Sequence, residues 1–133
     1  MRWGRGCGFL FGLALASTPC FAGDFAVPSG QDISLIEVLL DDEPGETWAR
    51  FRFLAPKISR VSGRISYDVA VIDMEALCNG FVLHYLDEWD LTVARISVSL
   101  SDQAIDFGAS DPDVTQFFEL YRRDGTACVW EEF

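Results

Sequence analysis

The sequence predicts an α+β fold of two layers, in which a mainly antiparallel sheet carries two helices packed on one face. Short stretches of alternating apolar and polar residues predict strands, and two stretches with apolar residues at helical spacing predict helices. Strands and helices do not alternate regularly, which argues against a doubly wound parallel sheet. Hydrophobic residues make up 50% of the chain and aromatic residues 14%, a composition that favours a folded core over disorder.

Residues 1–22 have the three regions of a secretory signal peptide. Arg2 and Arg5 form a basic head, an apolar run extends from Cys7 to Ala16, and small residues precede an expected cleavage after Ala22. The apolar run is half the roughly 20 residues that a membrane-spanning helix needs. We therefore expect removal of this leader, with a membrane anchor and a lipoprotein cut at Cys20 as the alternatives.

Cleavage would leave residues 23–133, which have the size of a single small α+β domain. Two of the 10 basic residues belong to the leader, so 8 remain against 21 acidic residues, a net charge near −13. Such a surface repels nucleic acid and anionic lipid, so we expect no nucleic-acid binding and no membrane insertion after cleavage. It would suit a cationic partner or metal ions, or serve solubility alone. We expect a periplasmic or secreted protein.

Four cysteines are present, and two of them, Cys7 and Cys20, belong to the leader. Cys78 and Cys128 would remain in an oxidising compartment, where we expect them to form a disulfide. Two free buried cysteines are the alternative. The spacing is unlike that of a zinc site, because the chain has a single histidine and neither cysteine has a close cysteine neighbour. We predict no metal ion and no cofactor.

The first part of the domain predicts a β-hairpin. Residues 24–31 indicate a loosely docked terminal segment, residues 33–40 a strand, residues 41–46 an acidic turn, and residues 47–54 a second strand. The alternation in the second strand places Ala49, Phe51 and Phe53 on one side and Trp48, Arg50 and Arg52 on the other.

In the middle of the chain, residues 64–67 predict a short strand, and Asp68 is the expected cap of a helix of about eleven residues. Asn79 and Gly80 would end this helix. Residues 81–86 then predict a strand, and residues 87–90 a turn. An alternating strand is predicted for residues 92–100.

The last third predicts a second helix and a final strand. Asp111 and Pro112 have the residue types of a helix start, and Gly125 would end the helix. Residues 126–130, with Cys128, predict the strand. Four apolar residues would line one face of this helix: Val114, Phe117, Phe118 and Tyr121.

Segments of the sequence resemble those of a known family. The C-terminal segments are Phe107–Gly108, Asp111–Pro112, Thr115–Glu119, Cys128, Trp130–Glu131 and Phe133, and the central one comprises Asp73, Met74, Leu77 and Cys78. They resemble the motifs of a family of small secreted alphaproteobacterial proteins of unknown function. The resemblance implies an extracytoplasmic location and a shared fold, and it brings no catalytic residues. Some members are labelled acetolactate synthase, which this sequence does not support, since such an enzyme needs several large domains.

We expect a non-enzymatic binding, accessory or inhibitor-like domain that meets an unknown protein partner. Trp48, Arg50 and Arg52 are the candidate partner-binding residues, because tryptophan and arginine often anchor interfaces. Alternatively, Trp48 covers a second small core.

The alternative function is a small secreted hydrolase that uses carboxylates, with or without a divalent cation. No Gly-x-Ser-x-Gly motif surrounds a serine, and His84 is expected to be structural. The acidic segment from Asp41 to Glu46 lacks the carboxylate spacing of an EF-hand loop. A hydrolase would require Glu119, Glu131, His84 or this acidic segment to converge in one pocket.

Overall fold

The computed structural model describes residues 24–132, so the predicted leader, with Cys7 and Cys20, lies outside the described residues. In this part of the chain five strands form one sheet, and one long helix packs against it. The elements are β1 (Ser34–Asp41), β2 (Trp48–Leu54), α1 (Tyr67–Glu88), β3 (Arg95–Ser101), β4 (Gln116–Asp124) and β5 (Ala127–Glu131). A short 3-10 turn, Pro56–Ile58, follows β2.

The strands lie in the sheet in the same order as in the chain, β1-β2-β3-β4-β5. β2 and β3 are parallel, and the other three neighbouring pairs are antiparallel. Parallel neighbours need a crossover connection, which α1 provides. The predicted α+β class with a mainly antiparallel sheet is therefore confirmed, with a single crossover helix in place of two helices.

The two faces of the sheet differ in polarity. On the face that α1 covers, alternate residues of the central strands are fully buried: Ala49, Phe51 and Phe53 of β2, and Ile96, Val98 and Leu100 of β3. This arrangement confirms the alternation predicted for both strands. The opposite face, here called the open face, carries Trp48, Arg50 and Arg52 from β2 and Ser97 and Ser99 from β3.

Helix α1 does not end at Gly80, as the sequence predicted, but continues to Glu88. The chain passes the Asn79–Gly80 pair in one π-helical turn, Cys78–Val82, and Val82, Leu83 and Leu86 are buried beyond it. Residues 81–86 are therefore helical rather than a strand, and their buried apolar side chains pack onto the sheet as part of α1. By length and composition α1 could cross a membrane, but its apolar side is buried against the sheet, as in a core helix.

Two further predicted elements are absent from the described residues. Residues 64–66 have no regular structure, and α1 begins at Tyr67. The second predicted helix is replaced by β4. The Asp111 carboxylate accepts a hydrogen bond from the Asp113 amide at 2.9 Å, which closes a single turn. Strand β4 then pairs with β3 over six residues. Gly125, with φ of 64°, lies in the turn between β4 and β5 instead of ending a helix.

The N-terminal segment is docked, in contrast to the loosely attached terminus that we predicted. Asp73 of α1, which is 0% exposed, accepts hydrogen bonds from the Ser29 amide (2.9 Å), the Ser29 hydroxyl (2.5 Å) and the Gln31 side-chain amide (2.7 Å). Ile33 is fully buried, and the ring of Phe25 packs edge-on against Phe53. A carboxylate in the helix, which the sequence did not single out for this role, thus fixes the start of the domain.

Candidate functional site

The predicted disulfide is present and joins the helix to an edge strand. Cys78, in the π-helical turn of α1, is bonded to Cys128 of β5, and their Cα atoms are 6.2 Å apart. The neighbouring Asn79 adds a second link, because its side-chain oxygen accepts the Cys128 amide at 2.8 Å. Its side-chain NH2 group donates to the Glu75 carbonyl at 3.1 Å. The π-helical turn of α1 is therefore the part of the helix to which β5 is attached, through the disulfide and through Asn79.

A concave pocket lies between the first half of α1 and strands β4 and β5. Its volume is about 320 Å³. We call it the aromatic-carboxylate pocket, and it is lined by Tyr67, Val71, Glu75, Glu119, Tyr121 and Trp130. The alternation of β4 directs Glu119 and Tyr121 to the same face, and the pairing of Tyr121 with Trp130 places the indole ring beside them.

Glu119 is the central group of the pocket. It is 6% exposed, and it accepts a hydrogen bond from the Tyr67 hydroxyl and another from the Trp130 indole nitrogen, the latter at 2.6 Å. Among the described residues no basic side chain forms an ion pair with it. Buried carboxylates are normally paired with a cation, so this negative charge is only partly compensated.

The two tyrosines of the pocket are held in their neutral form. The hydrogen bond from Tyr67 to Glu119, together with burial, raises the pKa of the Tyr67 hydroxyl. Burial, and then the charge of Glu119, raises the pKa of Tyr121. The Tyr121 side chain is 2% exposed, and its hydroxyl has no hydrogen-bond partner within the described part of the chain. An unpartnered buried hydroxyl is costly, and here it belongs to a residue that lines a cavity.

The candidate partner-binding residues Trp48, Arg50 and Arg52 lie side by side on the open face. The Arg50 guanidinium is 5.0 Å from the ring centre of Trp48 and 5.2 Å from that of Phe107. Arg50 also forms an ion pair with Asp41 at 2.9 Å. The indole nitrogen of Trp48 donates to Glu46 at 3.0 Å. The Arg52 guanidinium is 5.8 Å from the ring centre of Phe107, so the three residues form a stacked layer around this ring.

Arg52 is the most buried of the three, at 7% exposed. Its guanidinium forms an ion pair with Glu37 and donates to the Ile105 carbonyl at 2.5 Å. Arg52 thereby holds the loop between β3 and β4 over the sheet. Both Arg50 and Arg52 form ion pairs with carboxylates. The surface of this layer therefore consists of aromatic rings and guanidinium groups whose positive charges are already neutralised.

A shallow groove of about 200 Å³ runs along this layer, and we call it the open-face groove. Ser97 and Ser99 of β3 form its floor, and Phe107 stands at its side with 53% of its surface exposed. The other lining residues are Arg50, Arg52, Asp106, Gly108, Ala109, Gln116 and Phe118.

The acidic and basic residues required by a carboxylate hydrolase do not converge. Glu119 faces α1, whereas Glu131 pairs with Leu120 on the opposite face and bridges Arg95 and Arg122 at 2.8 and 2.9 Å. His84 is exposed on α1 and lines a different cavity of about 540 Å³.

The acidic turn between β1 and β2 has a structural explanation. The Asp41 carboxylate accepts the Glu43 amide at 2.9 Å, and the Asp42 carboxylate accepts the Thr47 hydroxyl at 2.8 Å. The amide of Glu43 and the side chain of Arg50 lower the pKa of Asp41. Across residues 24–132 no group of three or more His, Cys, Asp or Glu side chains is arranged to hold a metal ion.

The model of a family described as "Family of unknown function (DUF6497)" matches residues 11–133. The chain belongs to this family. The match includes the segments around Cys78 and Cys128 that carried the resemblance in the sequence, and it confirms membership of a family of unknown function. No curated protein and no solved structure matches the chain significantly.

The aromatic-carboxylate pocket of this DUF6497 domain is not among the sites that the sequence predicts. The sequence offers Glu119 only as one of several carboxylates, and it predicts a helix around Tyr121. The available signal was the alternation from Phe117 to Tyr121, because in a strand Phe117, Glu119 and Tyr121 share one face. A carboxylate between two aromatic residues on a buried face is a recognisable pattern once the segment is identified as a strand.

Proposed function

We propose that this protein is a non-enzymatic binding or accessory domain of the periplasm or the extracellular space, which meets a protein partner through its open face. The observation that carries this proposal is the open-face groove beside the stacked layer of Trp48, Arg50 and Arg52. Aromatic residues and arginine are enriched in protein interfaces, and a side chain held in place before binding loses less entropy on association.

The shape of the groove supports the insertion of a side chain from a partner. Its floor consists of the two small residues Ser97 and Ser99 of β3. Phe107 packs against Arg50 of β2 on one side of this strand, and Gln116 and Phe118 lie on β4 on the other side. Because Arg50 and Arg52 are already neutralised, the groove suits a polar or aromatic side chain better than a strongly anionic one.

The disulfide supports the location. Disulfides form and persist mainly in oxidising compartments, and the Cys78–Cys128 bond joins two elements of the core. Export through the predicted leader would bring the chain to such a compartment. The hydrolase is not proposed, because its required groups lie in separate places on the molecule.

Site-specific photocrosslinking tests the docking surface. A photoreactive amino acid is introduced at Gln116 or at Asp106, which are exposed and line the groove, and the cells are irradiated before extraction of the periplasm. We expect a discrete adduct of the same mass from both positions. The Trp48→Ala variant is expected to lower its yield, since anchor residues contribute most of the binding energy.

Two controls make the result interpretable. The same probe at Ile72, which is 55% exposed on α1, should give no such adduct, and Trp89→Ala, at a tryptophan that is 61% exposed elsewhere, should leave the yield unchanged. Equal adducts from Ile72 and Gln116, or a Trp48→Ala yield equal to that of the unmodified protein, would show that the open face is not the docking surface.

A further inference from the structure

We propose that the aromatic-carboxylate pocket binds an organic ammonium group, supplied either by a small free amine or by a lysine side chain of a protein partner. This site lies on the α1 side of the sheet and is distinct from the open-face groove. The proposal rests on three features of the pocket: a buried carboxylate without a cationic partner among the described residues, an unpartnered buried hydroxyl, and aromatic rings at the rim.

The carboxylate provides the charge that an ammonium group would neutralise. Glu119 accepts two hydrogen bonds, from Tyr67 and Trp130, whereas an ionised carboxylate has about four acceptor positions. Further acceptor capacity therefore remains for a donor that enters the pocket. Glu75, which also lines the pocket, adds a second negative charge near its opening.

The Tyr121 hydroxyl supplies an acceptor in the depth of the pocket. It is buried and has no hydrogen-bond partner among residues 24–132. A native protein rarely leaves such a group unpaired, so a ligand atom is its natural partner. An ammonium N–H would donate to the phenol oxygen, and an N-methyl group would contact the ring instead.

The aromatic rings complete a cage that selects for cations. Tyr67 and Trp130 are 44% and 55% exposed at the rim, while Tyr121 lies inside. The faces of tyrosine and tryptophan rings attract ammonium groups, and cages of this kind recognise methylated ammonium ligands in particular. The net charge of the chain, −11, also attracts cations to the protein over a longer range.

The pocket excludes other ligand classes by the same features. An anion would meet Glu119 and Glu75 and be repelled. A metal ion would find too few ligands, because only Glu75 and Glu119 among the six lining residues carry carboxylates and hard cations require six or more oxygens. An uncharged apolar group would leave the Glu119 carboxylate desolvated without compensation.

The test follows the indole N–H resonance of Trp130 by NMR during titration of the oxidised protein. The small-amine probe is choline, and its control is 3,3-dimethylbutan-1-ol, an uncharged molecule of nearly the same shape. The partner probe is a short peptide with one lysine, and its control is the same peptide with norleucine. We expect a saturable shift of the Trp130 resonance with at least one cation, and a much smaller one with its neutral counterpart.

The two arms identify the source of the ammonium group. Saturation by choline alone indicates a free methylated amine, and saturation by the lysine peptide alone indicates a protein partner. No saturable shift with either cation at about 10 mM, where even a millimolar site would be largely occupied, would overturn the proposal. Equal shifts from a cation and its neutral counterpart would also overturn it.

Tyr121→Phe is the sharpest variant, because it removes only the unpartnered hydroxyl. It should weaken binding of the lysine peptide about fivefold or more, as expected for the loss of one hydrogen bond to a charged group. Choline has no N–H to donate and should bind this variant almost as tightly as the unmodified protein, and the melting temperature should stay the same or rise. Unchanged binding of the lysine peptide, or a loss of choline binding of the same size, would contradict the proposed geometry. Glu119→Gln should reduce binding about tenfold or more, and Trp89→Phe, an exposed tryptophan outside the pocket, should bind as tightly as the unmodified protein.

Discussion

Two buried carboxylates on the α1 side of the sheet differ in how their hydrogen-bonding capacity is used. Asp73 accepts three hydrogen bonds from Ser29 and Gln31, so its charge is met by donors of the N-terminal segment. Glu119 accepts two, and the neighbouring Tyr121 hydroxyl accepts and donates none within the described residues. The difference indicates that Asp73 has a structural role and that Glu119 belongs to a site.

Asp73→Ala tests the structural role. The substitution leaves the Ser29 amide and the Gln31 side chain without their buried acceptor, and we expect a loss of about 2 to 4 kcal/mol in the free energy of unfolding. Urea denaturation measures this loss. Hydrogen exchange should also show faster exchange of the Ser29 amide, because the N-terminal segment detaches from α1.

The matched control is Asp68→Ala, at an exposed carboxylate in the first turn of the same helix. Its only expected contribution is to the helix dipole, worth less than about 1 kcal/mol. If both alanine variants lost the same small amount of stability, Asp73 would not anchor the N-terminal segment.

At the level of elements, the predictions succeeded where one face of a strand is buried and the other is not. β2 and β3 alternate along their whole length, and their positions and faces were predicted correctly. α1 beyond Gly80 and β4 were not, because their local signals favoured the wrong structure. Asn79–Gly80 is a typical helix stop, and Asp111–Pro112 a typical helix start, yet tertiary contacts outweighed both.

The reason in each case is a partner distant in the chain. Asn79 forms its hydrogen bond with the Cys128 amide, 49 residues away, instead of ending the helix, and β4 pairs with β3 along Ile96–Ser101. Neither interaction is visible in a local window of sequence.

Gly80→Ala distinguishes a continuous helix from the predicted helix end. Gly80 lacks the positive φ of a helix-ending glycine, and an added Cβ would meet no atom within 4 Å. Since glycine costs a helix interior about 0.5 to 1 kcal/mol relative to alanine, the substitution should stabilise the protein by about that amount. Thermal and urea denaturation measure it.

Gly125→Ala provides the comparison. Gly125 has a positive φ of 64° in the turn between β4 and β5, so an alanine there is strained and should destabilise the protein by about 1 kcal/mol. A destabilisation of similar size by Gly80→Ala would mean that α1 ends near residue 80 after all.

For the molecule as a whole, the sequence predicts best the features that depend on the pairing of cysteines or on the alternation within a single strand. The cysteine count predicted the Cys78–Cys128 bond correctly, and the alternation in β2 placed Trp48, Arg50 and Arg52 on one face. The aromatic-carboxylate pocket could not be predicted, because it requires Tyr67 from the start of α1 to meet Glu119 and Trp130 from two later strands. The order of strands in the sheet brings these residues together.

The disulfide should contribute a large share of the global stability, because it attaches the edge strand β5 to the middle of α1. Cross-linking two positions 50 residues apart lowers the entropy of the unfolded chain by an amount worth about 4 kcal/mol. Small domains unfold with only about 5 to 15 kcal/mol in total. We therefore expect reduction with dithiothreitol to lower the melting temperature by roughly 10 to 20 °C, while the far-UV circular dichroism at low temperature stays nearly unchanged.

The Cys78→Ala/Cys128→Ala variant separates the bond from side effects of the reductant. Its melting temperature should lie near that of the reduced protein, because both forms lack the disulfide and keep the hydrogen bond from the amide of residue 128 to Asn79. The melting temperature of the variant should not change on addition of dithiothreitol. The Trp130 indole, two residues from Cys128 in β5, provides a local reading of the same event: its NMR resonance should broaden on reduction as the strand end loosens. A melting temperature that is insensitive to reductant would show that the remaining contacts of β5 alone hold the strand in place.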